Sequence, residues 1–211
     1  MKRFYPRGFQ HILDGDVDYT NSRIAVALID LAIYTPDFDN DEYLSDISPS
    51  AIISSALLDG KTNVNGIADA NDTTFLKVEG AVCRAIVFYL QPENLNTETS
   101  ILIAFNDGKS QVVAAMEAVI SDTTVYVDKL KAGIASGAEV EFTNGTIATL
   151  TSPAAVGDRS LSVTALTGGI LPEEVAEVDD IDSYFPITPD GNDIVFTWGE
   201  GAERIFALWV E

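Results

Sequence analysis

Short turn sequences recur at intervals of about ten residues in the first half of the chain, and they limit the fold more than any other feature. The turns separate five runs rich in apolar and β-branched residues. Short strands joined by hairpin turns are typical of an antiparallel β-sandwich or barrel, so the sequence predicts an all-β main domain. The turns are Asp59-Gly60, Asn65-Gly66, Asn71-Asp72 and Glu79-Gly80, and the runs cover 51–58, 61–67, 73–78, 82–90 and 100–106.

Two further elements are predicted ahead of these runs. Residues 23–30 are almost continuously apolar and are bounded by polar residues, which indicates a central strand covered on both faces. Phe9, Ile12 and Leu13 have helical spacing, so a short helix is expected to end at Asp14-Gly15-Asp16.

The last part of the chain predicts two closing strands. Residues 194–198 and 204–209 are dense in aromatic and β-branched side chains, with 199–201 between them as a short turn. The preceding segment, 186–193, contains two prolines and an Asp-Gly pair, which favour a turn. So much apolar surface is too costly to leave in water, and we therefore expect these strands to pair with earlier parts of the chain.

An internal repeat lies in the second half of the chain. Residues 124–134 align with 160–170 at an offset of 36, and the coincident pairs include Val127 with Val163. Leu130 and Leu166, Gly133 and Gly169, and Ile134 and Ile170 also coincide. Between the copies, 140–143 and 146–149 flank Asn144-Gly145, a strong hairpin signal. The repeat predicts a small pseudo-symmetric β-module.

These patterns predict two domains. The main β-domain is discontinuous, with 1–109 and 184–211, and 110–183 is an inserted module. Residues 173–182 are rich in carboxylates and are interpreted as a solvated linker or a short acidic helix. If the module is an insertion, 100–106 and 187–198 are expected to share one sheet.

The chain is strongly acidic, with 33 acidic and 12 basic residues and a net charge of −21. Such a surface repels nucleic-acid phosphates and anionic lipids, so we expect neither nucleic acid nor membrane as a partner. The charge serves solubility alone, or it steers the protein to a basic protein surface. The basic N-terminus lacks the apolar run of a signal peptide, and we expect synthesis in the cytoplasm. Cys83, the single cysteine, lies in an apolar run and is expected to be buried.

We expect no catalytic residues, no metal site and no cofactor. Asp14, Asp16 and Asp18 are spaced like the start of a calcium loop, but Tyr19 and Ala25 stand where an EF-hand needs glycine and glutamate. A simple turn is the alternative. The acidic loop at 35–43, with Asp37, Asp39, Asp41 and Glu42, is interpreted as exposed, with cation binding as the alternative.

Histidine and carboxylate chemistry is similarly restricted. His11 is the only histidine, which excludes zinc sites that need two or three imidazoles and leaves a Ser-His-Asp triad with one candidate base. The spacing of the carboxylates does not exclude a hydrolase that uses a pair of them, because an acidic β-protein offers many such pairs.

An ordered set of segments resembles the small structural proteins of tailed bacteriophages. The set opens with 9–18 (FQHILDGDVD), 24–35 (IAVALIDLAIYT) and 43–47 (YLSDI), and it continues with 66–75 (GIADANDTTF) and 102–107 (LIAFND). It ends with Pro186, Pro189, Gly191, Asp193, Ile194, Trp198, Ile205, Phe206 and Leu208. The resemblance covers roughly 5–109 and 184–210. The interval between is similar to alanine-, glycine- and threonine-rich β-modules of other phage virion proteins.

The resemblance implies a component of the virion, expected on the outer head surface as a decoration or cement protein. Such a protein binds the major capsid protein, bridges neighbouring subunits and catalyses no reaction, and a dimer or trimer is expected. The alternative is a neck, tail or fibre component whose module contacts a host-surface glycan. A carboxylate-based glycan hydrolase is the third hypothesis.

The N-terminus is the candidate partner-binding site. Lys2, Arg3 and Arg7 form a positive cluster on an acidic chain, and Phe4 and Tyr5 beside them are expected to anchor to a partner. A solvated tail is the alternative.

Overall fold

The computed structural model describes residues 2–131, 133–179, 185–198 and 206–207. The chain divides into two compact units, one of residues 2–107 with 184–211 and one of residues 108–183. We call the described parts of these the main unit and the module. Both consist of antiparallel strands, which confirms the all-β prediction.

The described residues contain one α-helix, three short 3-10 helices and sixteen strands. In chain order they are β1 (Lys2–Phe4), α1 (Pro6–Asp14), β2 (Ile24–Ile29), 3-10 helices at Leu44–Asp46 and Pro49–Ala51, β3 (Ile52–Leu57), β4 (Thr62–Val64), β5 (Ile67–Asp69), β6 (Thr73–Phe75), β7 (Ala85–Leu90), a 3-10 helix at Thr97–Thr99, β8 (Leu102–Asn106), β9 (Lys109–Val113), β10 (Thr124–Tyr126), β11 (Glu139–Glu141), β12 (Ile147–Thr149), β13 (Ser160–Ser162), β14 (Val175–Asp179), β15 (Ile194–Phe196) and β16 (Phe206–Ala207).

A five-stranded sheet of order β1-β8-β7-β2-β3 organises the main unit. Every residue of β2 is buried, and the strand is paired on both sides. Side chains alternate across a strand, so Val26 and Leu28 face one apolar cluster and Ala27 and Ile29 face another. The prediction of a central strand covered on both faces is confirmed.

The closing strands pair with early strands of the main unit. β15 pairs with β6, and β16 pairs with β5. The Trp198 indole donates a hydrogen bond from Nε1 to Thr73 Oγ1 at 2.8 Å, and its ring packs against Phe88. The expected pairing of the C-terminal strands with earlier ones is confirmed. Phe196 and Trp198 fill the same core as Val26 and Leu28 of β2.

The expectation that 100–106 and 187–198 share one sheet is wrong. The strand β8 lies in the five-stranded sheet, whereas β15 pairs with β6. Among the described residues, the two closing strands pair with different strands, β6 and β5. The predicted turn at 199–201 lies outside the described residues. The sheets of the described residues are open, so the barrel alternative does not hold for them.

The module has the predicted pseudo-two-fold symmetry. Its central pair is β10 with β13, in which Val125 lies opposite Leu161. Adding 36 to the residue numbers of β9 and subtracting 36 from those of β14 converts the β9–β14 pairing into the β11–β12 pairing. The repeat and the hairpin at Asn144-Gly145 are therefore confirmed.

The core of the module follows the same rule. Each residue of its buried apolar cluster has a counterpart in the cluster 36 residues away. The pairs are Val112 and Ala148, Ala114 and Leu150, Ala118 and Ala154, Val125 and Leu161, Val127 and Val163, Leu130 and Leu166, Ile134 and Ile170, Val140 and Ala176, and Phe142 and Val178. The two halves thus build one shared core from equivalent positions.

The interpretation of 173–182 as a linker or helix is wrong for its described part. The strand β14 occupies 175–179 and pairs with β9. Ala176 and Val178 point into the core while Glu177 is exposed. Buried apolar and exposed acidic residues therefore alternate along the strand, as in a half-buried β-strand. Residues 180–182 lie outside the described part of the chain.

Candidate interaction surface

The predicted binding residues at the N-terminus form an edge strand and the first turn of a helix. β1 pairs antiparallel with β8 at the end of the five-stranded sheet, with Arg3 opposite Phe105. Pro6 begins α1, where its fixed φ suits a first helical position. Gly15 ends the helix in the left-handed conformation, with φ 83°. The expected short helix is confirmed, and the segment is not a solvated tail.

Close packing fixes α1 against β8. A Cβ at Gly8 would lie 1.7 Å from the carbonyl oxygen of Leu102. Only glycine permits this approach, so the helix is held in one position on the sheet.

Tyr5 is fully buried and lies in a chain of hydrogen bonds. Its hydroxyl is 2.9 Å from the Tyr34 hydroxyl, which donates to Asp41 Oδ2 at 2.6 Å. Burial raises the pKa of both phenols, which stay neutral. The Tyr5 side chain is part of the core, so it is not accessible as the partner-binding anchor that the sequence predicts.

Arg3 and Phe4 directly precede this buried tyrosine. Arg3 is an exposed residue, and its guanidinium carbon stands 4.0 Å from the centre of the Phe38 ring, a cation–π contact. Phe4 is half-buried and packs against Phe9. For Lys2, only the backbone pairing with Asn106 is described.

Arg7 and His11 lie one turn apart on α1 and share one carboxylate. Arg7 Nη1 is 2.7 Å from Glu42 Oε2, and His11 Nε2 is 3.3 Å from Glu42 Oε1. The His11 Nδ1 atom is 2.8 Å from Asp16. The Arg7 hydrogen bond lowers the pKa of Glu42 to about 2. The hydrogen bond with Asp16, and then that with Glu42, raises the pKa of His11. Both hydrogen bonds therefore favour the protonated form of the imidazole.

The acidic motifs satisfy themselves with local hydrogen bonds. Asp18 accepts from the Asn21 side chain and from two backbone amides. Asp37 accepts from Asn40 in the same way, and Asp41 is buried. Among the described residues, no group of three or more acidic, cysteine or histidine side chains is arranged to hold a metal ion.

Two features of the first segment were missed from the sequence. No sequence pattern links Glu42 to His11, or Tyr34 to Tyr5. The spacing of Arg7 and His11 does predict that both lie on one face of the helix. The carboxylate that receives them comes from a loop about thirty residues away, and short motifs carry no record of such a contact.

Comparison with protein-family models, curated proteins and solved structures finds no match to this chain. In the described part of the chain, no helix has the length and apolar character needed to cross a membrane.

Proposed function

We propose that this chain is a structural protein of a tailed-bacteriophage virion that decorates the outer surface of the head. In this proposal it binds the major capsid protein, bridges neighbouring subunits and carries out no reaction. Neither nucleic acid nor membrane is a partner. It acts as a dimer or trimer, because a protein that spans subunits of a symmetric shell commonly follows the local symmetry.

One observation carries the proposal. The two separate segments that resemble phage structural proteins fold into a single unit, while the interval that departs from the resemblance folds into another. Strands from both segments pair within that unit, as β15 does with β6. A resemblance whose segments all lie in one folded unit supports common ancestry better than a resemblance whose segments lie in unrelated parts of the fold.

The charge supports an outer position. A net charge of −21 repels packaged DNA and favours attachment to a basic protein surface. Binding would stabilise the shell through the interface that it buries and through mass action, since a ligand that binds only the assembled state shifts the equilibrium towards that state.

The exposed residue Arg3 is the best candidate contact at the N-terminus. Removing residues 1–7 is a poor test, because Tyr5 and β1 are part of the fold. The variant Arg3→Gln removes the charge and keeps the strand. Arg23→Gln, at an exposed position before β2, is the matched control.

The direct test uses purified protein and expanded phage shells that lack it. We expect the protein to co-sediment with shells at many copies per particle and to raise the temperature at which shells disassemble. Arg3→Gln should weaken this binding more than Arg23→Gln. Saturation at a dozen or fewer copies, or binding to isolated tails alone, contradicts the proposal.

A neck, tail or fibre component is the second candidate. It is favoured by the module, which has its own buried core and could act as a separate adhesive lobe. Glycan-array binding that disappears when 111–182 are deleted would select this function. Release of sugar from such a glycan would instead select the hydrolase.

A further inference from the structure

The module carries an apolar groove at one end. Its walls are the segments 117–120 and 169–171, and reciprocal backbone hydrogen bonds between Ala118 and Ile170 join them. Val119, Ile120 and Leu171 are each more than half exposed at this groove. Three large apolar side chains together on the surface of a small module need an explanation beyond packing.

The other half of the module provides an internal control. The equivalent bridge joins Ala154 to Ile134, with the same reciprocal hydrogen bonds. The positions equivalent to Val119, Ile120 and Leu171 hold smaller residues, listed in that order: Ala155, Val156 and Ala135. Since the same backbone forms with small side chains, the fold does not require the large ones.

Charge also differs between the two halves. Segments 110–128 and 160–179, which build the groove end, contain no lysine or arginine. Glu117 lines the groove, and Glu173 follows Leu171 by two residues. The other half contains three basic residues, Lys129, Lys131 and Arg159. Their equivalents at the groove end are uncharged: Ala165 for Lys129, Thr167 for Lys131 and Thr123 for Arg159. The groove is therefore apolar with an acidic surround.

We infer that this groove is a docking site for an apolar side chain presented by a basic protein surface. The apolar walls would bury that side chain, and the carboxylates around them would match the positive charges that flank it. A second copy of this chain fits the groove poorly, because a chain with 33 acidic and 12 basic residues offers little positive charge to its acidic surround, and the proposed dimer or trimer would form through another face. The identity of the partner, the major capsid protein, rests on the proposed function. The apolar and basic character expected of the partner surface is inferred from the groove itself.

The test replaces each groove residue with its equivalent from the other half. The variant Val119→Ala, Ile120→Val, Leu171→Ala should fold normally, because these residues already support the same backbone at 155, 156 and 135. Val156→Ala, at the other end, is the control. Amide exchange in the module establishes that both variants keep the fold.

The first arm measures binding to expanded shells. We expect the triple variant to bind at least about tenfold more weakly than the wild type, and Val156→Ala to bind like the wild type. Wild-type binding should weaken with added salt. If the wild type binds and the triple variant binds equally well, the inference is overturned and the proposed function stands. Failure of the wild type to bind shells contradicts the proposed function, and the second arm then decides the inference.

The second arm is independent of any shell. Nuclear magnetic resonance follows the full chain as it is titrated with a peptide of two leucines flanked by lysines, and then with one flanked by glutamates. We expect the amide signals of Val119, Ile120 and Leu171 to shift with the lysine peptide and much less with the glutamate peptide. Equal responses, or no response at the groove, overturn the inference. Self-association that disappears in the triple variant also overturns it, since a second copy would then be the occupant.

Discussion

Val125 and Leu161 lie opposite each other at the centre of the β10–β13 pair, and the two halves of the module are related about this position. Both side chains are fully buried. A pairing of equivalent residues is the expected centre of a two-fold arrangement, and the other strand pairs repeat around it.

Equivalent core positions should therefore contribute similarly to stability. We expect Leu130→Ala and Leu166→Ala each to lower the free energy of unfolding of the module by about 2–4 kcal/mol, because each leaves a cavity in the shared core. Val156→Ala, at an exposed site, should change it by less than about 0.5 kcal/mol. Amide exchange in urea measures these values, and a large loss for only one of the two leucines contradicts the equivalence.

A backbone position shared by the two halves gives a second prediction. Ser121 has φ 78° and its equivalent Gly157 has φ 96°, both in the left-handed region. Gly157→Ser should destabilise the module by about 1 kcal/mol, because a side chain is strained there. No such loss is expected for Ser121→Gly, which relieves the same strain. Equal losses for the two substitutions would argue against an equivalent turn.

The contact between α1 and β8 predicts a sensitive site in the main unit. Gly8→Ala should lower the free energy of unfolding by more than about 2 kcal/mol, because the new Cβ meets the Leu102 carbonyl oxygen and the helix must move. Leu13→Ala, on the exposed side of the same helix, is the control. Tryptophan fluorescence, to which Trp198 in the core of the main unit contributes, reports the transition. Equal stability of the two variants would exclude the close approach.

The Glu42 cluster predicts a dependence of stability on pH. The pKa of Glu42 falls from 4.5 to about 2 on folding. Its contribution to the free energy of unfolding is therefore present above pH 4.5 and is lost as the pH falls towards 2. The cluster is partly exposed, so we expect about 1 kcal/mol. In Glu42→Gln this acid-dependent loss should be smaller, as measured by urea unfolding at a series of pH values. An unchanged profile contradicts the assignment.

His11 should act in the opposite direction. Its pKa is raised from 6.5 in the folded chain, so its contribution is present below pH 6.5 and declines as the pH rises through the folded value. His11→Gln should remove this alkaline decline. Nuclear magnetic resonance titration of the imidazole measures the pKa directly, and a value at or below 6.5 would contradict the ion pairs.

Cys83 provides a chemical test of the core. The thiol is buried, and burial raises its pKa to about 11, so little thiolate exists at neutral pH. We expect a thiol reagent to label the native chain very slowly and the unfolded chain fully. Rapid labelling without denaturant would show that the strand around Cys83 is open. The burial expected from the sequence is confirmed in the structure.

Local patterns account for the parts of the fold that the sequence predicted. The apolar run of β2, the helical spacing before Gly15 and the hairpin at Asn144-Gly145 each depend on neighbouring residues. The repeat was visible because both halves must fill one core from equivalent positions. The partners of β15 and β16 could not be predicted in this way, since pairing across more than a hundred residues is decided by packing.

The candidate sites were harder to predict for a related reason. The charged residues beside Phe4 and Tyr5 predict that both are surface anchors, but Tyr5 lies between an edge strand and a packed helix and is buried in the core. Val119 and Ile120 resemble core residues in the sequence, and only the structure shows them exposed beside Leu171. The alternation of β14 was hidden by its carboxylates.

The most direct measurement is an image of the phage particle at a resolution that separates individual head subunits, with this chain labelled. The account predicts labelled density at many copies over the outer surface of the head, in contact with the major capsid protein. Label confined to the neck, tail or fibres, or found inside the head against the DNA, would contradict it.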